Sequence, residues 1–162
     1  MALTKVIGDG IGSLNTPAFL AKMSGDQDIP DATDTKVTFD TEVYDTDGKY
    51  DHSTNYRFTP GVAGTYFFYT QVHMLGHDNN QLVDTFIFIK KNGAKFYAAR
   101  VNPSTNYTNQ HTLSLSVTDV ANTTDYYEVF VYLDDITATG DIDATTSRGD
   151  LSFFGAYKLI GV

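Results

Sequence analysis

Several short stretches carry the residue types that do chemistry, and the first question is whether their spacing lets them do it. The segment YDTDGKYDHSTN, Tyr44 to Asn55, places Asp45, Asp47 and Asp51 around Gly48, which suggests a calcium loop. An EF-hand loop needs its glycine sixth and a glutamate twelfth. Setting Gly48 sixth puts Val43 first and Thr54 twelfth, so both end ligands are missing and the segment reads as a tight turn at Asp47-Gly48. The stretch LDDITATGDID offers Asp134, Asp135, Asp141 and Asp143. Calcium is the cation such a loop would take, by converging carboxylate and carbonyl oxygens, although a solvated acidic loop accounts for it more simply. His73 and His77 have the i, i+4 spacing that binds zinc on a helix, but here they follow an extended run where that spacing does not converge the rings.

Other motifs weigh against catalysis. No Gly-x-Ser-x-Gly elbow occurs, and the only glutamates, Glu42 and Glu128, fall inside extended runs rather than at loop tips. No catalytic, cofactor or metal residue is therefore assigned, and the chain is read as a non-enzyme. Arg148-Gly149-Asp150 is the tripeptide that integrins read on a mobile loop; here it leads straight into a strand, where Gly149 serves the turn. Asn106-Tyr107-Thr108 and Asn122-Thr123-Thr124 are glycosylation sequons only for a chain that enters a secretory pathway.

The elements that position these residues are strands. Among 162 residues, 41% apolar and 14% aromatic, β-branched and aromatic residues alternate in short runs broken by Gly, Asn, Asp and Thr. Strands are expected near 18–23, 36–44, 56–58, 65–74, 84–91, 95–101, 112–117, 126–133 and 151–159, forming one two-sheet sandwich. Asn92-Gly93 supplies a type I′ hairpin turn between FIFIKK and AKFYAARV. Residues 1–16, with Gly8, Gly10 and Gly12 and no sustained pattern, read as an arm, and 17–162 as the domain. No apolar run of signal-peptide or membrane-span length occurs, so the whole chain is expected to be the mature protein. Eleven basic residues against 20 acidic, a net charge of −9, exclude nucleic acid as a partner. Zero cysteines exclude disulfides and thiolate chemistry.

Four strands are apolar on both faces: Phe67 and Tyr69 oppose Tyr66 and Phe68, Phe86 and Phe88 oppose Ile87 and Ile89, Phe130 and Tyr132 oppose Val129 and Val131, and Phe153 opposes Phe154. A sandwich without helices has one inner face per sheet, so the second apolar face is expected to meet another subunit.

The segment FDTEVYDTDGKYDHSTNYRFTPGVAGTYFFY resembles the signature of C1q-like domains, of the C1q and tumour-necrosis-factor superfamily. Phe39, Asp45, Tyr50, Phe58, Gly64, Tyr66 and Phe68 fill its positions. One extra residue precedes Phe58, Thr70 stands where the closing aromatic should fall, and Ala156 replaces an aromatic in the final strand. PAFLAK, LSLSVTDVANTTDYYEVFVYL and LSFFGAYKL resemble further strands of the family. The resemblance implies a ten-stranded jelly roll, assembled as a homotrimer with the first, last and Gly64–Met74 strands turned towards the threefold axis. The opening MALTKVIGDGI is similar to the starts of bacteriophage virion proteins, especially of marine phages. The expectation is a trimeric virion surface protein, a capsid decoration or cement protein held to capsid or tail proteins by its arm. The alternatives are the receptor-binding head of a tail fibre, whose loops at His77–Gln81 and Asn102–Gln110 would contact a host glycan or protein, or a free bacterial C1q-like carbohydrate-binding protein.

Overall fold

In the computed structural model, which describes residues 15–76, 82–103, 108–135, 140–146 and 149–160, backbone hydrogen bonding divides the chain into fifteen strands with no helix among the described residues. They are β1 (Ala18–Lys22), β2 (Gln27–Ile29), β3 (Thr35–Lys36), β4 (Thr41–Asp45), β5 (Tyr50–Asp51), β6 (Arg57–Phe58), β7 (Gly64–Leu75), β8 (Leu82–Lys91), β9 (Ala94–Val101), β10 (Gln110–Ala121), β11 (Tyr127–Asp135), β12 (Gly140–Asp143), β13 (Thr145–Thr146), β14 (Gly149–Asp150) and β15 (Phe153–Lys158). Sheet A has seven strands in the order β2-β12-β7-β15-β1-β4, with β10 on the other edge of β7. Sheet B has six in the order β5-β6-β11-β8-β9, with β3 also on β11. The two close into a jelly-roll sandwich, as the sequence led us to expect.

Period-two alternation decides which residues meet between the sheets. β7 sends Tyr66, Phe68, Thr70, Val72 and Met74 inward, and β11 answers with Tyr127, Val129, Val131 and Leu133. Phe19 stacks on Tyr50 at 4.5 Å and on Phe58 at 4.6 Å, and meets Phe154 edge-on at 5.0 Å. Phe39, Tyr50, Phe58, Tyr66 and Phe68, the residues that carried the resemblance, are all buried in this one core. Two departures from the family pattern are buried too. Thr70 is 2% exposed and donates its hydroxyl to the Phe153 carbonyl at 2.8 Å, and Ala156 lies opposite Phe68.

Other expectations need correction. Residues 36–44 do not form one strand: β3 pairs with β11 in sheet B and β4 with β1 in sheet A. The chain crosses between the sheets there, and the crossing buries Val37 and Phe39 in the core. β2 and β12 escaped the sequence reading because each is shorter than the window in which alternation shows. The hairpin turn is as read, with φ of 53° at Asn92 and 80° at Gly93. Asn92 also bridges to the next turn, donating to Asp125 at 2.8 Å and accepting from the Tyr126 amide at 3.0 Å. The arm, taken as residues 1–16, falls mostly outside the described residues, as do His77–Gln81, Asn106 and Arg148.

Candidate functional site

The outer faces of the two sheets differ in what covers their aromatic residues. On sheet A, Phe67 and Tyr69 of β7 stand beside Phe153 and Tyr157 of β15. Phe67 lies 5.5 Å from Tyr157, and Tyr69 lies 6.1 Å from Phe67 and 6.2 Å from Phe153. Tyr69 lies flat because its cross-strand partner is Gly155, where a Cβ would come within 2.4 Å of the ring. Its hydroxyl is 3.4 Å from that of Tyr44, which extends the patch to β4 with the exposed Val43. Burial, then the Tyr44 hydroxyl, pushes the Tyr69 phenol well above its ordinary range. Next to this patch Leu20, Lys22, Val43, Tyr69, Asp150 and Phe153 line a largely apolar hollow of about 240 Å³, its rim closed by a Lys22–Asp150 ion pair at 3.0 Å. Beside the patch, the flanking strand β10 places Ser116 opposite Tyr69 and Thr118 opposite Phe67. Among the described residues, no cation lies over any ring of this patch.

On sheet B the outer rings of Phe86, Phe88 and Phe130 each have a cation above them. Lys90 sits 3.6 Å over Phe130, Lys95 4.2 Å over Phe88 and Arg100 5.0 Å over Phe86. Acids hold these cations in place. Asp34 binds both Lys90 at 3.3 Å and Lys95 at 3.0 Å, and Asp84 takes Arg100 in a two-point grip of 2.8 and 2.7 Å. Burial raises the Asp34 carboxyl, but Lys95 and Lys90 more than offset this and hold it below the usual range. On sheet B, lysines and an arginine thus lie over part of the second apolar face, while Phe86, Phe88 and Tyr132 still line an open hollow of about 430 Å³ with Asp34, Asp84 and Lys95.

The sandwich is open along one flank. β9 and β10 are edge strands of opposite sheets, and between them Ala99, Val101, Leu115 and Val117 are only partly buried against the core. At the end of this flank Phe96 and Tyr97 are 36% and 45% exposed, edge-to-face at 4.5 Å.

The acidic loop does not converge as a cation site would require. Asp134 and Asp135 end β11 in sheet B, whereas Asp141 and Asp143 lie on β12 in sheet A. Asp134 faces Asp84 across the ladder, and the Asp135 amide donates to Asp31 at 2.8 Å. Asp141 pairs in register with Asp28 of β2, and this neighbour went unrecognised because β2 itself did. Burial, then the Asp28 charge, raises the Asp141 carboxyl; burial, then Asp26, raises Asp143. Among the described residues, no group of three or more His, Asp or Glu is placed to hold a metal. His73 lies on the outer face of β7, its Nδ1 2.8 Å from the Thr112 hydroxyl. Gly149 and Asp150 form β14 against β13, and Asp150 is committed to Lys22. Asn122 is exposed in the turn before β11. Glu42 and Glu128 face His52 at 2.7 Å and Lys36 at 2.6 Å, far apart in the fold.

A C1q domain model matches residues 18–147, and the chain belongs to the C1q domain family. No curated protein matches it by sequence. Among solved structures it resembles the globular domain of zebrafish complement 1qA protein, with a TM-score of 0.59 at 15% identity over 88% of this chain and 97% of that one. It also resembles Eiger TNF from S. frugiperda, with a TM-score of 0.60 at 12% identity over 90% and 93% of the two chains. Murine APRIL gives 0.57 at 13% identity over 88% and 98%.

Proposed function

We propose that this chain is a non-enzymatic, homotrimeric head domain that assembles through the outer face of sheet A. The observation that carries the reading is the uncovered aromatic patch of Phe67, Tyr69, Phe153 and Tyr157, set against the partly cation-covered face of sheet B. Domains of the C1q and tumour-necrosis-factor family form homotrimers. The open β9–β10 flank is a different surface from the patch, so one copy's flank seated on the next copy's face makes a heterologous contact, which closes into a ring when the rotation permits. Light scattering on the purified protein tests this. A trimer at micromolar concentration is the expected result, and a monomer would overturn it.

On this reading the trimer is displayed on a virion surface as a decoration protein, with the receptor-binding head of a tail fibre as the second role. Support for the virion comes from the likeness of MALTKVIGDGI to phage virion proteins. Electron microscopy of particles labelled for this protein separates the two: copies across the shell mean decoration, and copies only at the tail mean recognition. Absence from particles would remove the virion setting while leaving the trimer intact.

A further inference from the structure

The chain carries an excess of acid, yet its cations are not all neutralised. Of the nine described lysines and arginines, Lys22, Lys36, Lys90, Lys91, Lys95 and Arg100 pair with a carboxylate. Lys49, Arg57 and Lys158 have no such pair, and two of these three, Lys49 and Arg57, line the same pocket. That pocket, about 310 Å³ and open to solvent, lies between the Gly48 turn and Gly61 and is completed by Tyr50, Asp51 and Thr59.

The acids around it are already engaged. Asp51 stands opposite Arg57 in the β5–β6 register. Its Oδ1 accepts from the Ser53 and Thr54 amides at 3.2 and 2.9 Å, and its Oδ2 from the Asn55 amide and side chain at 3.1 and 2.7 Å. On the other side Glu128 faces Arg57 across β11 but is held by Lys36 at 2.6 Å. Asp45 caps the Tyr50 amide at 2.7 Å, and Asp47 takes the Thr46 hydroxyl at 2.8 Å. Two cations are left facing one wall acid, and their positions are built into the fold. Arg57 lies over the Tyr126 ring at 4.6 Å. The Lys49 stem runs past Gly61, where φ is +71° and a Cβ would sit 3.4 Å from Cε and Nζ.

A planar guanidinium, an ammonium and the Thr59 hydroxyl around a polar hollow are the donors that an oxyanion takes. The hollow far exceeds the ~10–15 Å³ that one water needs, so it has room for more than a bare ion. We propose that the Lys49–Arg57 pocket binds a sulfate or phosphate oxyanion, free or carried as an ester on a larger molecule such as a sugar. The pocket shares no lining residue with the aromatic patch of sheet A, so this binding does not depend on the assembly reading.

Calorimetric titration of the full chain at low salt, with galactose 6-sulfate, galactose and inorganic sulfate as probes, tests the proposal. Saturable binding of galactose 6-sulfate with no heat from galactose is expected. Lys49→Gln and Arg57→Gln should each weaken it about tenfold, the scale of one charge-assisted hydrogen bond. Arg57→Lys should restore part of the loss. Sulfate binding as tightly as the sugar ester identifies the free ion as the ligand; a weaker sulfate identifies the anionic sugar. No saturable binding of either anion, or binding unchanged in both variants, overturns the proposal. Lys49 lies in a loop with a partly exposed side chain, so Lys49→Gln decides the matter even where Arg57→Gln impairs folding. Light scattering on the same samples reports assembly separately.

Discussion

The two sheets face outward with similar aromatic content and opposite treatment. Sheet B holds Phe86, Phe88 and Phe130 under Arg100, Lys95 and Lys90, each anchored by Asp84 or Asp34. Among the described residues, sheet A leaves Phe67, Tyr69, Phe153 and Tyr157 without a cation and puts Ser116 and Thr118 beside Tyr69 and Phe67. Long cationic side chains that lie along rings shield apolar surface while keeping their charge in water. A face treated this way is better suited to solvent, and a face without such charges is better suited to an apolar partner. An aromatic strand face does not by itself mark an interface; the neighbouring charges decide.

The largest effect should come from placing charge in the patch. Phe67→Glu is expected to convert the proposed trimer to a monomer by light scattering, since a buried unpaired carboxylate at the centre of an interface costs several kcal/mol. Phe88→Ala on the opposite face should leave the trimer intact and lower stability in denaturant by about 3 kcal/mol, the usual cost of removing a buried phenylalanine. If both variants stayed trimeric, the contrast between the faces would lose its meaning.

Gly155→Ala comes next. Its Cβ would meet the Tyr69 ring at 2.4 Å, so the ring must lift off the sheet, with a cost of about 1–3 kcal/mol and a weaker trimer on dilution. Tyr69→Ala should relieve the clash, and a double-mutant cycle measures the coupling.

A smaller effect is expected from like charges at the β2–β12 edge. The Asp141 carboxyl is raised in the fold by burial and by Asp28, so the folded state binds its proton more tightly than the unfolded state does. Stability from this group is therefore fully present below its unfolded value and is lost as pH rises from there through the folded value. Asp28→Asn should add about 0.5 kcal/mol at pH 7, by relief of a cross-strand like-charge pair, and nearly nothing at pH 3.5. Thermal melts at the two pH values check this; an equal gain at both would remove the charge explanation. The smallest change is assigned to Asp34→Asn, which frees Lys90 and Lys95 at a cost of under about 1 kcal/mol, the range of partly exposed ion pairs. Its sign should appear as a reduced dependence of stability on salt.

Much of the fold is legible in the sequence because its signals are local. Alternation in β7, β8, β11 and β15 identified which residues share a face, and all the inward sets are buried as that alternation implies. Asn92-Gly93 specified its own turn through positive φ. The candidate sites were much less legible. Asp134 and Asp141 are seven residues apart in the chain yet end in different sheets, and the partner that matters for Asp141 is Asp28, on a three-residue strand. The Lys49–Arg57 pocket left no motif, because it depends on which nearby acids are engaged elsewhere.

By itself the sequence determined that the chain is an all-β sandwich with aromatic residues on both faces of its strands, since side-chain period and turn chemistry act within a few residues. Only the tertiary structure decided which outer face is sheltered. Asp34 must cross the sheet to hold Lys90 and Lys95 over Phe130 and Phe88, and its distance from them along the chain, some sixty residues, leaves no periodicity to read. Electrostatic pairing depends on separation in space, and that separation exists only once the sheets have closed.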